Sequence, residues 1–314
     1  MNSEIHASIH PRLRPLAEAA AGKPGLADLS PAEARAGMAA RTAQRARGPE
    51  VERVFDLRIP RAGGEIPVRV YRPRDPLGVA MAFHGGGWLM GNLDSFDATC
   101  RHLANDSGLA IVSVDYRLAP EHLFPAAIDD AWTATQWVAE HGAAHQLPGD
   151  RLAVVGESAG GNLAAIVCLL ARDNGGPAIR AQVLAYPATD ARQQSVSLKQ
   201  YATGCGQSAA DVARAFETYG LGRVVQADDW RLSPLLAPSH AGLPPALVIT
   251  AECDPVRDEG EAYAATLAEA GVDASCVRYQ GMLHTFFGMR GQIEAAALAQ
   301  RQAAGMLRAA VVGK

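Results

Sequence analysis

The feature that most constrains this chain is an alternation. Short apolar runs recur at 79–83 (VAMAF), 110–114 (AIVSV), 152–155 (LAVV), 181–185 (AQVLA), 246–250 (ALVIT) and 274–279 (ASCVRY). Helix-length stretches fall around them, near 94–106, 125–141, 158–173, 258–270 and 291–311. Runs so continuously apolar suit strands covered by helices on both faces, because neither face meets water. Ahead of them, 54–59 (VFDLRI) and 66–72 (IPVRVYR) alternate apolar and polar residues, as a half-buried antiparallel hairpin does. The rhythm predicts an α/β fold: a mostly parallel central sheet of about eight strands, flanked by helices, with the hairpin at one edge.

Two segments have no place in that sheet. Residues 1–50 are rich in Ala and Arg, carry helical stretches broken by Gly22, Pro24, Gly25 and Pro31, and contain no strand pattern. Residues 186–245 separate two strands by far more than an ordinary connection, and hold their own helix near 208–219. We therefore expect a main domain over 51–314, with 1–50 supplying N-terminal cap helices and 195–229 a cap insertion above the sheet.

The bulk numbers exclude several roles. A net charge of −4 over 314 residues offers no basic surface for nucleic acid or anionic lipid. Arginines cluster between Arg41 and Arg53, but Glu50 and Glu52 interrupt them, which reads as a solvated helix face. The five cysteines form no CxxC pair and fit free thiols in a reducing compartment, with Cys168 in an apolar helix as core. The N-terminal stretch has no apolar targeting region and no segment approaches a membrane span, so the expectation is a cytoplasmic protein without stable membrane insertion.

The chemistry sits in two glycine-rich turns. Gly156-Glu157-Ser158-Ala159-Gly160 matches G-x-S-x-G between a strand and a helix, the setting of the nucleophile elbow of α/β-hydrolases. Residues two before and two after the serine must be small, or side chains collide around the turn. His84-Gly85-Gly86-Gly87-Trp88 follows the strand 79–83, at the sheet edge where α/β folds place ligands. Backbone N–H groups there can face a developing oxyanion only if no Cβ blocks the approach. Gly86, Gly87 and Ala159 are the expected donors, and a methyl at Gly86 is expected to spare the fold while cutting turnover. Gly85-x-Gly87 lacks the third glycine of a dinucleotide loop, since position 90 is Met90, and no phosphate-binding P-loop exists.

A serine nucleophile needs a base, and the base an orienting carboxylate. After Ser158 only His240 and His284 remain. His240 reads as part of a surface connection, whereas His284 follows the last strand amid Met282, Leu283, Phe286 and Phe287. The acid should follow the strand 246–250, where Glu252, Asp254 and Asp258 compete. Asp258 suits a helix N-cap, with Glu261 completing a capping box. Asp254 comes earlier in the loop, nearer the strand end, and is preferred over Asp258, with Glu252 third. The expected machinery is Ser158, His284 and Asp254, working through an acyl-enzyme with no metal or cofactor. Trp88, Tyr201, Phe216 and Leu221 are candidate pocket residues.

Taken together, HGGGW, DYRLAPEHLFPA (115–126), GESAGGN, ECDPVRDEG and GMLHTF, in this order from about residue 50 onward, resemble the hormone-sensitive-lipase-like, or bacterial family IV, α/β-hydrolase esterases. The resemblance implies hydrolysis of short- to medium-chain carboxylic esters under a cap, with Gly86 and Gly87 donating to the oxyanion. It also implies that Asp115 and Arg117 belong to a network beneath the oxyanion loop. Glu157 and Val256 stand where such proteins more often have Asp and Leu. Two other readings use the same residues: an arylformamidase or amidase on this triad, and a non-catalytic ligand receptor, of the kind whose relatives lack the histidine. The last strand could also serve as the edge of a homodimer.

Overall fold

The computed structural model describes residues 3–313. The helices are α1 (Ser3–Ser8), α2 (Arg14–Ala20), α3 (Pro31–Ala43), α4 (Leu93–Ser107), α5 (Ala126–His141), α6 (Ala159–Asp173), α7 (Val196–Gln200), α8 (Ala209–Tyr219), α9 (Arg257–Glu269) and α10 (Glu294–Val312). The strands are β1 (Arg53–Arg61), β2 (Gly64–Arg72), β3 (Val79–Phe83), β4 (Ala110–Val114), β5 (Leu152–Glu157), β6 (Ile179–Ala185), β7 (Ala246–Cys253) and β8 (Ala274–Leu283).

They form one eight-stranded sheet in the order β1-β2-β4-β3-β5-β6-β7-β8. The β1–β2 hairpin is antiparallel and attaches antiparallel to β4, while β3 to β8 run parallel. The continuously apolar runs behave as expected: every residue of β3 and β4 is buried. Residues of β3 divide between two cores, Met81 and Phe83 facing one and Ala80 and Ala82 the other. That division is the period-2 alternation of a strand covered on both sides.

Two strand registers bring the chemically interesting turns together. Phe83, the last residue of β3, pairs with Gly156 on β5, so the glycine turn after β3 and the serine turn after β5 leave the sheet side by side. On the other side of the serine turn, a register shift between Ala251 and Cys253 brings Cys253 opposite Leu283. The next residues along each strand, Asp254 and His284, therefore leave the sheet together. β8 runs to Leu283, four residues beyond the stretch read from sequence, because this irregularity carries the pairing past Tyr279. No described helix is long and apolar enough to cross a membrane.

Candidate active site

Ser158 stands where β5 becomes α6, with φ 55° and ψ −120°. A non-glycine residue in that region stores strain. The neighbouring glycines explain how the turn is accommodated. A Cβ at Gly156 would overlap the Gly160 carbonyl, and one at Gly160 would overlap the Phe83 carbonyl at the end of β3. Small residues on both sides of the serine are thus required twice: within the turn, and for seating α6 against the glycine loop. Ser158 occupies the N-cap position of α6, yet its side chain makes no capping hydrogen bond. Its hydroxyl is turned instead to a histidine.

Ser158 Oγ lies 2.9 Å from Nε2 of His284, whose Nδ1 lies 2.6 Å from Oδ2 of Asp254. Asp254 is fully buried, and its Oδ1 accepts the Val256 N–H at 3.0 Å. A carboxylate only accepts, so Nδ1 carries the proton and Nε2 is left to accept from the serine. The Tyr186 ring packs 4.7 Å from the imidazole, and its hydroxyl donates to Glu157 at 2.8 Å. The competing residues are engaged elsewhere. Glu252 accepts the Gly281 N–H at 2.6 Å.

Asp258 does not cap α9, the role its position in the sequence predicts. The N-cap is Val256, with no side-chain hydrogen bond. Asp258 instead lies inside the first turn, accepts the Ser197 N–H of α7 at 2.7 Å and pairs with Arg257 at 2.8 Å. Glu261 reaches Arg278 and Thr250 rather than completing a box. His240 is not on the surface either. It is buried, its Nε2 bonded to the Pro234 carbonyl at 2.9 Å and its ring edge-on to Tyr263.

The glycine loop curls with φ +128° at Gly86 and +60° at Gly87. A Cβ at Gly86 would overlap the Met90 carbonyl, and one at Gly87 would stand 2.8 Å from Cβ of Ala215 on α8. A methyl at Gly86 therefore disturbs the loop itself, contrary to the sequence expectation that the fold would be spared. The N–H groups of Gly86, Gly87 and Ala159 take no protein acceptor among the described residues. All three residues line the same cavity as Ser158 and His284.

The loop rests on His84, which is buried and stacked 4.2 Å from Tyr116. The Tyr116 hydroxyl donates to the His84 carbonyl at 2.7 Å. Burial lowers the His84 pKa to about 4, so the ring is neutral near neutral pH. Tyr116, rather than Asp115 and Arg117, is the support beneath the loop. Arg117 forms a two-pronged pair with Asp130 of α5, and Asp115 makes no side-chain hydrogen bond among the described residues. A second support was not legible in the sequence. Arg35 of α3 donates to the carbonyls of Leu89 and Ala119 at 2.9 and 2.8 Å and pairs with Glu121.

The cavity measures about 430 Å³. Its roof comes from both segments left outside the sheet, through residues such as Leu26, Met38, Cys205 and Val212. The Asp211 carboxylate joins the two segments, accepting the Ala27 N–H at 2.9 Å. Trp88 and Phe216 line the cavity, the indole stacked 4.8 Å from Tyr219 and tilted 5.2 Å from Phe216. Tyr201 and Leu221 do not line it. The Tyr201 ring lies under the Arg257 guanidinium at 5.2 Å, and Leu221 packs against the main core at the α8 C-terminus. Arg41 and Arg45 are exposed, as the reading of a solvated face expects, and they also line the cavity at its rim.

A parallel sheet, a strained serine turn and a glycine loop at the strand ends define an α/β-hydrolase, and the family profile described as alpha/beta hydrolase fold matches residues 80–288. The chain is 46% identical over 254 residues to the carboxylic ester hydrolase LipN of Mycobacterium tuberculosis, an alignment covering 77% of this chain and 66% of that protein. It is 42% identical to the esterase LipI of the same organism, covering 83% of each. An ester-hydrolase from the metagenome of Lake Arreo superposes with a TM-score of 0.90 at 40% identity, covering 96% of this chain and 98% of that one. The chain belongs to the hormone-sensitive-lipase-like, family IV carboxylesterases, and its reaction class is carboxylic ester hydrolysis.

Proposed function

We propose that the protein hydrolyses short- to medium-chain carboxylic esters through a Ser158 acyl-enzyme. Ser158 Oγ attacks the ester carbonyl as His284 Nε2 takes its proton, and Asp254 holds the ring and balances the imidazolium. The N–H groups of Gly86, Gly87 and Ala159 receive the oxyanion. The same imidazolium then protonates the leaving alcohol, and water repeats the cycle on the acyl-serine. The observation that carries this reading is the unbroken row Ser158–His284–Asp254, at 2.9 and 2.6 Å. Residues 1–50 and 195–229 act as the cap that shapes the acyl and alcohol sites, with Trp88 and Phe216 on its inner wall.

The test is a panel of p-nitrophenyl esters from acetyl to palmitoyl, given to the wild type and to Ser158→Ala. Turnover of the shorter esters that disappears in Ser158→Ala supports the reading. Turnover that survives the substitution overturns it. We also place the protein in the cytoplasm, a reading supported by five unbridged cysteines.

A further inference from the structure

The arginines of the cap are treated in two ways. Arg35 is fully engaged, by Glu121 and by the Leu89 and Ala119 carbonyls. Arg41, near the end of the same helix, and Arg45, just beyond it, make no side-chain hydrogen bond or ion pair among the described residues. Both are exposed, and both line the cavity that holds Ser158 and His284, which puts them at its rim.

Their guanidinium groups lie along its wall. Arg41 Nη1 stands 3.4 Å from the position a Cβ would take at Gly37, and Arg45 Nη1 stands 3.8 Å from the corresponding point at Gly288. Gly37 and Gly288 are themselves cavity residues. Arg45 is also near enough to Tyr186, the ring packed on His284, for its charge to act on that hydroxyl.

The two cations lie four residues apart and oppose each other. Partial burial of the guanidinium, and then the charge of Arg45, lower the Arg41 pKa. The carboxylates on the cavity wall do not offset them. Glu157 takes the Tyr186 hydroxyl, Asp211 takes the N–H groups of Ala27 and Ser208, and neither pairs with an arginine. Two forked donors at the rim of a reaction cavity, with no protein counter-ion among the described residues, suit an anionic group, and a carboxylate matches the planar fork of a guanidinium.

We propose that Arg41 and Arg45 form an anion-recognition subsite, and that the preferred substrates are esters bearing a carboxylate. The proposal rests on the esterase reading above, and deepens it from neutral esters to charged ones. The carboxylate could belong to the acyl or to the alcohol portion, so the test has an arm for each.

Two matched pairs of substrates separate charge from shape. Mono-p-nitrophenyl glutarate is set against p-nitrophenyl pentanoate, and 4-acetoxybenzoate against 4-acetoxybenzamide. The readout is the ratio of kcat/KM for the charged ester to that for the neutral one, in the wild type and in the double variant Arg41→Gln/Arg45→Gln. In at least one pair the ratio should fall by roughly tenfold, the worth of a charge-assisted contact that is partly screened. The wild-type preference should also shrink at high salt, whereas a preference set by shape would not. Ratios that shift in neither pair overturn the subsite. Failure of the wild type on every ester, neutral ones included, would instead overturn the esterase reading, and thermal unfolding of the double variant shows whether it has folded.

Discussion

The floor and the roof of the cavity are built on opposite terms. In the floor, these side chains are committed within the protein, Asp254 to His284 and Val256, Glu252 to Gly281, Tyr116 to His84, while the N–H groups of Gly86, Gly87 and Ala159 are left open among the described residues. Its glycines are equally committed, since a Cβ at Gly86, Gly156 or Gly160 would overlap a backbone carbonyl. In the roof, Arg35 and Asp211 are held by the protein, but Arg41 and Arg45 have no side-chain partner among the described residues, and a Cβ at Gly206 would meet nothing within 4 Å. The floor is over-determined because a reaction needs donors and acceptors fixed before the transition state arrives. The roof is permissive because it has to accept different groups.

Substitutions in floor and roof should therefore differ in their effects. The largest effect is expected at the acid. Asp254→Asn should cut kcat by about 10⁴, because an amide favours the wrong imidazole tautomer. Asp258→Asn should leave kcat nearly intact while costing stability, because an amide has one acceptor oxygen and no charge for the two contacts, Ser197 N–H and Arg257, that the carboxylate holds. Steady-state kinetics on one short ester, paired with thermal unfolding, reads both, and the reverse pattern would exchange the roles of the two carboxylates.

Next comes the glycine loop. Gly86→Ala should reduce kcat/KM by at least about 10², the scale of losing one oxyanion donor. It should also lower the unfolding midpoint, because the methyl collides with Met90. A variant with unchanged melting and unchanged turnover would mean that the loop is not fixed in the way its backbone suggests.

A smaller effect concerns pH. His84 is held neutral down to about pH 4, whereas in the unfolded chain it protonates near 6.5. Between those values the unfolded chain binds more protons, so this group makes unfolding easier as pH falls from 6.5 towards 4. Its contribution is of order 2–3 kcal/mol. Denaturant titrations of wild type and His84→Gln across that window should show a shallower dependence in the variant. Equal slopes would place the titration elsewhere. The smallest effect is expected in the roof. Gly206→Ala, at φ +84° with open space around it, should cost about 1 kcal/mol from backbone conformation and change kcat/KM little.

The same contrast explains what the sequence revealed. The sheet and both glycine turns were legible because periodicity and local sterics determine them: VAMAF runs straight into HGGGW, and LAVV into GESAG. Asp254 was preferred over Asp258 partly on a capping argument that does not hold, since Asp258 instead accepts the Ser197 N–H of the neighbouring helix α7. That contact spans 61 residues, so no local pattern announces it. His240 misled for a similar reason, its partner Tyr263 lying on another element. The roof was legible only as leftover segments. Neither the loop support by Arg35 nor the place of Arg41 and Arg45 at the cavity rim has a spacing signature, because each depends on how two distant segments meet above the sheet. Tyr201 and Leu221 fell outside the pocket on the same ground: an apolar residue in an insertion gives no sign of which side of the cap it faces.

Ser158 is proposed to carry the acyl group. Quenching the enzyme in acid during turnover of a p-nitrophenyl ester and locating the acyl group by peptide mass spectrometry reads this step. One acyl group per chain is expected on the peptide containing Ser158, and none in Ser158→Ala. An acyl group on any other residue, or undiminished steady-state turnover by Ser158→Ala, would contradict it.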